Sequence, residues 1–274
     1  MNKKLGMLLL QVIMTALGLL VIFPLLFVAI NSVKSLQEVT LNMLSLPVKI
    51  HWENFSEAIR RMNFGVSFRN TLFITVLSLI GVLLFSSMTA YQIVRKKCLA
   101  SKLIFLGLLL SMTIPFQVLM VPVVIVANHL RIVNSQMGLV IMYWGFLLPM
   151  AVFLYQGFVK SIPIEIEEAA FTDGCNQYQV FFGIVFPVMK PMTVTVAVLN
   201  LLAVYNDFTL PLIMLSSKER KTIPLALSNF FGSYLSEWQL IMAAIVVTIA
   251  PMLIIYLILQ KQVMAGYTEG AIKG

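Results

Sequence analysis

A chain of 274 residues that is 60% hydrophobic and 11% charged cannot cover a water-soluble fold, since soluble domains run roughly 45–50% apolar and 25% charged. Length would permit one or two soluble domains, but a mean hydropathy of +0.95 overrules that and makes lipid the solvent for most of the chain. The net charge of +8 comes from scattered cations with no aromatic-interleaved basic face, which argues against a nucleic-acid partner and suits loops against anionic headgroups.

A bilayer core takes about 20 apolar residues, and six runs reach that length: about 5–30, 69–94, 103–127, 138–158, 191–214 and 239–260. The first, in "MNKKLGMLLLQVIMTALGLLVIFPLL", invites reading as a signal peptide. Its apolar part exceeds the ~7–15 residues of a cleaved leader and no small-x-small site closes it, so it reads as the first span. In the segment 31–67, Trp52, Phe55, Ala58, Ile59 and Met62 recur at helical spacing, with Glu57 and Arg61 placed for an i,i+4 ion pair. This predicts an amphipathic helix along the outer interface. The loop "RKKCLASK" (95–102) joins the second and third runs. Together with Lys3 and Lys4 it places both termini in the cytoplasm under the positive-inside rule, although ten Lys/Arg then fall inside and nine outside.

Cys98 and Cys175 fall on the cytoplasmic side, where thiols stay reduced, and His51 and His129 stand alone without metal-ligand spacing. Pro24, Pro115, Pro122, Pro149, Pro211 and Pro251 interrupt the runs. Each removes a backbone donor, so bent helices are expected, tolerated in lipid where neighbours satisfy the freed carbonyls.

One insert differs from its surroundings: "SIPIEIEEAAFTDGCNQYQVFFGIVFPVMKP" (161–191) holds four of the chain's eleven acidic residues between two apolar runs. Pro163 suits a first helical turn, and Glu165, Glu167 and Glu168 favour the positive end of a helix dipole. Ala169 and Ala170 form helix well and let another surface approach, and Asp173-Gly174 ends the helix with a left-handed cap. A second short helix carrying Tyr178, Phe181 and Phe182 runs to Pro187, and Pro191 opens the next run. The acids serve as a solvated connector, as a cation site, or as a docking lever. A hard-cation cage needs converging oxygens, whereas consecutive helical residues point apart.

Asn70, Gln117, Asn200, Asn206 and Asp207 are the pathway candidates, as polar groups inside apolar runs. A carboxylate at mid-bilayer costs about 2.5–3.5 kcal/mol on insertion scales, so Asp207 faces the bundle interior or lies near the outer interface. Either a pathway role or a bond to another span suits it, and the amides suit bridges between helices. The sequence contains no G-x-x-x-x-G-K-[ST] loop and no nucleophile–base set, so the chain reads as a non-enzyme without its own ATPase site.

"EEAAFTDG" followed by "IVFP" resembles the cytoplasmic E-A-A-x-x-x-G-x9-I-x-L-P loop of ATP-binding-cassette importer permeases, with Phe186 where leucine is usual. "FRNTLFIT", "MTAYQIVRKK" with its A-Y-x-x-x-R exit, "TIPFQVLMVP" and "YNDFTLPLIML" resemble segments of carbohydrate permeases, with Tyr205 in place of a tryptophan. The terminal "GAIKG" is similar to the tail of the shorter permease of maltose-type systems. The resemblance covers nearly the whole chain. It implies an all-α, six-span type I importer permease fold forming one transmembrane domain over 1–274, with a coupling loop at 159–190.

The resemblance also implies a second, homologous permease subunit, two ATPase subunits holding ATP and magnesium, and an external solute-binding protein. No cofactor is implied on this chain. By resemblance Glu165, Glu168, Ala169, Ala170, Asp173, Gly174 and Pro187 couple to the ATPases, with Glu168 as the chief polar contact. A permease for polyamine, phosphate or another solute remains open, although such relatives typically lack the last two segments. An ion-coupled secondary transporter would need inverted repeats and further intramembrane ionisable groups, and neither is found.

Overall fold

In lipid a backbone must satisfy its own polar groups, and this chain does so with helices alone; no strand occurs among the described residues. The structure is a computed structural model that describes residues 3–231 and 237–271. It divides into two compact units, 1–65 with 223–255 and 66–222 with 256–274. Among the described residues four helices contain stretches long and apolar enough to cross a membrane: Gly6–Ser32, Phe64–Arg95, Gln136–Val159 and Trp238–Ile258. Two bent helix pairs bring the number to six if each pair is one span.

The first unit begins with α1 (Lys3–Ser32), whose apolar window has no side chain buried within this chain, leaving its surface to lipid or another subunit. After it come α2 (Leu36–Leu41) and α3 (Glu53–Arg61). Ser35 and Glu38 form a capping box at the start of α2, and the other Glu38 oxygen accepts the Val48 N–H at 2.8 Å. The buried Asn54 donates from Nδ2 to the carbonyls of Ser32 at 2.9 Å and Lys34 at 2.8 Å, tying α3 to the end of α1. Lys34 is itself buried and donates to the carbonyls of Asn42 and Met43. On α3 the expected Glu57–Arg61 pair forms at 2.6 Å, and Arg61 reaches on to Glu237. Of the expected apolar face, Ala58 and Met62 are buried, whereas Trp52 and Ile59 are exposed.

The second unit holds most of α4 (Phe64–Arg95), then α5 (Leu99–Met112), α6 (Phe116–His129) and α7 (Gln136–Val159). On α4, Ser67, Thr71, Thr75, Ser78 and Ser86 are buried at spacings of three, four and eight, a narrow polar stripe. At Gly81 a Cβ would overlap the indole of Trp144, whose Nε1 donates to the Leu77 carbonyl at 3.1 Å, so only glycine admits α7 that closely.

The run 103–127, expected as one span, is divided between α5 and α6, which meet at 110°. Pro115 explains the break: it offers no N–H and turns the residue before it away from helical geometry. Beyond α7 come α8 (Glu165–Thr172), α9 (Gln177–Val180), a π-helical turn over Phe181–Val185, α10 (Phe186–Val188), α11 (Lys190–Asn206) and α12 (Thr209–Met214). The run 191–214 therefore does not continue as one helix, since α11 stops at Asn206 and the chain is extended at Asp207. The core of this unit gathers Tyr91, Val152, Tyr155, Val159, Ala170 and Phe181. The first unit closes with α13 (Ile223–Leu227) and the first part of α14 (Trp238–Ala271), while 256–271 of α14 belongs to the second. Of the terminal motif, Ile272, Lys273 and Gly274 lie outside the described residues.

Candidate coupling surface and transport-path residues

The 161–191 insert folds as the elbow its local chemistry predicts. Helix α8 begins two residues after Pro163, so the proline precedes the first turn rather than lying in it. Gly174 adopts φ +86°, the left-handed conformation expected of it. The Gly174 N–H donates to Phe171 O at 3.1 Å and the Cys175 N–H to Ala170 O at 3.0 Å, a full Schellman closure of α8. Asn176 then caps α9, its Oδ1 accepting from the N–H groups of Tyr178 and Gln179. The helix widens into a π turn ahead of Pro187, the Phe186 N–H donating to Phe181 O, which accommodates a residue that has no N–H and crowds the preceding turn. The stretch 177–188 meets α11 at 75°.

The three glutamates of α8 divide their work. Glu167 points inward, 2% exposed. Its Oε2 accepts from Tyr91 Oη at 2.8 Å and its Oε1 from Arg95 Nε at 2.8 Å, with Arg95 Nη2 at 2.6 Å. Arg95 also donates to the Ile162 carbonyl at 3.0 Å, so the end of α4 holds α8 at two points. Tyr91 and Arg95 are four apart and share a helix face, which gives the A-Y-x-x-x-R exit a physical purpose within this chain. Ala170 turns into the same core, and Tyr91 and Phe181 pack with ring centroids 5.3 Å apart.

Glu165, Glu168, Ala169, Asp173 and Gly174 lie on the exposed side of the elbow, and Pro187 is exposed beyond the π turn. The Glu168 carboxylate has no hydrogen-bond or ionic partner among the described residues. Ile164 and Phe171, four residues before it and three after, share its side of the helix and are exposed. The exposed carboxylates of Glu165 and Asp173 likewise have no side-chain partner among the described residues, so this face combines apolar and acidic side chains. Glu167, by contrast, was not among the sequence-predicted site residues; the only signal for it was the pairing of an acidic cluster with an A-Y-x-x-x-R exit.

The pathway candidates are not gathered in one place. Asn70 is buried and donates from Nδ2 to the carbonyls of Glu219 at 2.8 Å and Lys221 at 3.0 Å, pinning a loop to α4. Asn200 and Asn206 each bond the carbonyl four residues back on their own helix, Val196 and Leu202. Gln117 is exposed near the start of α6. Asp207, at the end of α11, accepts the Tyr143 hydroxyl at 2.9 Å and the Thr209 N–H at 2.9 Å, joining α7 to the break before α12. Asn134 performs a parallel task in a loop, with its amide on Ser217 and its carbonyl accepting the Ser216 and Ser217 N–H groups.

Long apolar helices, two bent helix pairs and a clasped elbow between α7 and α11 define a multi-pass membrane protein. Residues 82–267 match the family model of the binding-protein-dependent transport system inner membrane component. The chain belongs to that family. It is 37% identical over 257 residues to the probable starch degradation products transport system permease protein of Thermoanaerobacterium thermosulfurigenes, covering 94% of this chain and 93% of that one. It is 34% identical over 266 residues to the multiple sugar-binding transport system permease protein of Streptococcus mutans, covering 96% and 95%. Against the melibiose/raffinose/stachyose import permease protein of Bacillus subtilis it is 35% identical, with 83% of each covered. A chain in the crystal structure of a bacterial ABC transporter that imports the polysaccharide alginate matches the fold with a TM-score of 0.82 at 21% identity, over 95% of this chain and 98% of that one.

Proposed function

We propose that this chain is one of two permease subunits in an ATP-binding-cassette importer for a sugar or oligosaccharide. An external solute-binding protein delivers the solute, and two ATPase subunits drive the cycle from the cytoplasm. The chain itself hydrolyses no ATP and holds no cofactor; ATP and magnesium reside on the ATPases. Both termini and the α8 elbow face the cytoplasm in this reading. ATPase closure moves α8, and the helices rock between inward- and outward-facing arrangements. Glu165, Glu168, Ala169, Asp173 and Gly174 form the contact, with Ala170 and Pro187 shaping the elbow behind it. Asn70, Gln117, Asn200, Asn206 and Asp207 are the polar groups offered to the path or to its frame.

The observation that carries this reading is the elbow: exposed, with apolar and acidic side chains, on one side, and bound through Glu167 to a membrane-length helix on the other. The carbohydrate assignment is supported by the names of the relatives. The test is reconstitution of the chain with the partner subunits encoded beside it, followed by ATP-dependent uptake of a labelled panel of oligosaccharides and non-sugar solutes. Uptake of one sugar class that requires the solute-binding protein is the expected result. Uptake driven by an ion gradient without ATP would overturn it.

A further inference from the structure

A cavity of about 700 Å³ lies where α4 ends, α5 begins and α7 ends. Lys96, Lys97, Lys102 and Lys160 stand around it, and none has a carboxylate partner among the described residues. The only acid in the lining is Glu165, and the fifth cation, Arg95, is already committed to Glu167. Ile93, Phe105 and Ile162 contribute an apolar wall. Lys160 is the residue that caps α7, and clustered Lys beside membrane-spanning helices is the side-chain chemistry that meets anionic headgroups. Lys96, Lys97, Lys102 and Lys160 are all exposed, and four unpaired cations around one hollow raise the local positive potential and attract an anion.

From this arrangement we infer that the cavity binds the phosphodiester headgroup of an anionic phospholipid, with the lysines on the phosphate and the apolar wall against the start of its acyl chains. A zwitterionic lipid carries its own cation and neutralises less of the rim. The site is independent of which solute is carried. Because Arg95 and Glu165 line it, the occupant sits beside the clasp that holds α8 and helps fix the position of the elbow.

The full chain, purified with its partner subunits where they are needed, is titrated in native mass spectrometry with phosphatidylglycerol and with phosphatidylcholine of the same acyl chains. Preferential retention of phosphatidylglycerol is expected, and each of Lys97→Gln, Lys102→Gln and Lys160→Gln lowers that preference about fivefold. The triple Lys→Arg variant retains it. Equal binding of the two lipids by the parent, or an unchanged preference in the triple glutamine variant, overturns the proposal. Glycerol phosphate competing as well as the lipid makes the occupant a free phosphate and also overturns it. A second measurement uses the unaltered chain: Cys98 lines the cavity, so phosphatidylglycerol nanodiscs should slow its labelling by a neutral maleimide relative to phosphatidylcholine nanodiscs, with Cys175 as the internal reference. Equal slowing of both cysteines counts against the site.

Discussion

Glu167 and Arg95, at opposite ends of a 72-residue separation, form an ion pair at 2.6 Å in which the carboxylate is almost wholly buried. Removing one partner of such a pair leaves an uncompensated charge, at a cost of about 3–5 kcal/mol. Arg95→Ala is therefore expected to free α8 from the end of α4, and Tyr91→Phe, which removes one hydrogen bond to a carboxylate, to loosen it by about 1.5–3 kcal/mol. Hydrogen exchange over 165–172 reads this directly: faster exchange in Arg95→Ala, a smaller change in Tyr91→Phe. The exchanged pair Arg95→Glu with Glu167→Arg should recover part of the protection. Unchanged exchange in Arg95→Ala would show that α8 is held by packing alone.

The outward face of the elbow calls for different substitutions. Gly174 has open space around it, so a side chain there meets no neighbour, yet its φ of +86° disfavours any residue with a Cβ by about 1–2 kcal/mol. Gly174→Asp and Glu168→Lys should both insert normally in the membrane. The first strains the Schellman closure at a positive φ, and the second reverses one of the unpaired charges on the exposed face. Both are expected to lose ATP-driven uptake in reconstituted vesicles while ATP hydrolysis persists. Normal coupled uptake in both variants would remove α8 from the drive train.

What the sequence made legible was local chemistry. Glycine after Asp173, alanines after glutamates and proline at helix starts act within a few residues, and the elbow came out as expected, with Pro163 displaced by a short step. The spans were less legible where one side chain redirects the backbone. Asp207 accepts the Thr209 N–H and so ends α11, and a hydropathy run across 191–214 carries no trace of that bond. Glu167 was legible least of all. Its two partners, Tyr91 and Arg95, come from the end of another helix, and nothing in its own segment distinguishes it from Glu168 one residue on.

Asp207 offers a further test because its bond to Tyr143 makes it a brace between α7 and the α11–α12 break. Tyr143→Phe and Asp207→Asn each weaken that brace, by about 1.5–3 kcal/mol for a hydrogen bond to a charged group. The double variant should lose less than the two single losses combined, since they share one interaction. Thermal unfolding of the solubilised protein measures this. Sugar competition in uptake should leave the order of preference unchanged for Asp207→Ala. A changed order would place the carboxylate on the solute.

Glu38 supplies a pH dependence in the segment between α1 and α3. Backbone donors Ser35 and Val48 hold its carboxyl below the ordinary value of 4.5. The folded segment thus binds the proton less readily than the unfolded one. Its stabilisation is present above about pH 4.5 and is lost as the pH falls through the folded value, when the protonated oxygens accept these N–H bonds poorly. Amide exchange at Ser35 and Val48 is expected to accelerate on acidification across that window, over and above the intrinsic pH trend, and Glu38→Gln should show the accelerated rate already at neutral pH. The Asn54 amide, which makes its bonds to Ser32 and Lys34 without a titrating group, should keep α3 against the end of α1 throughout. Loss of protection in α3 at the same pH as at Val48 would mean that the whole segment, rather than its capping box, responds to acid.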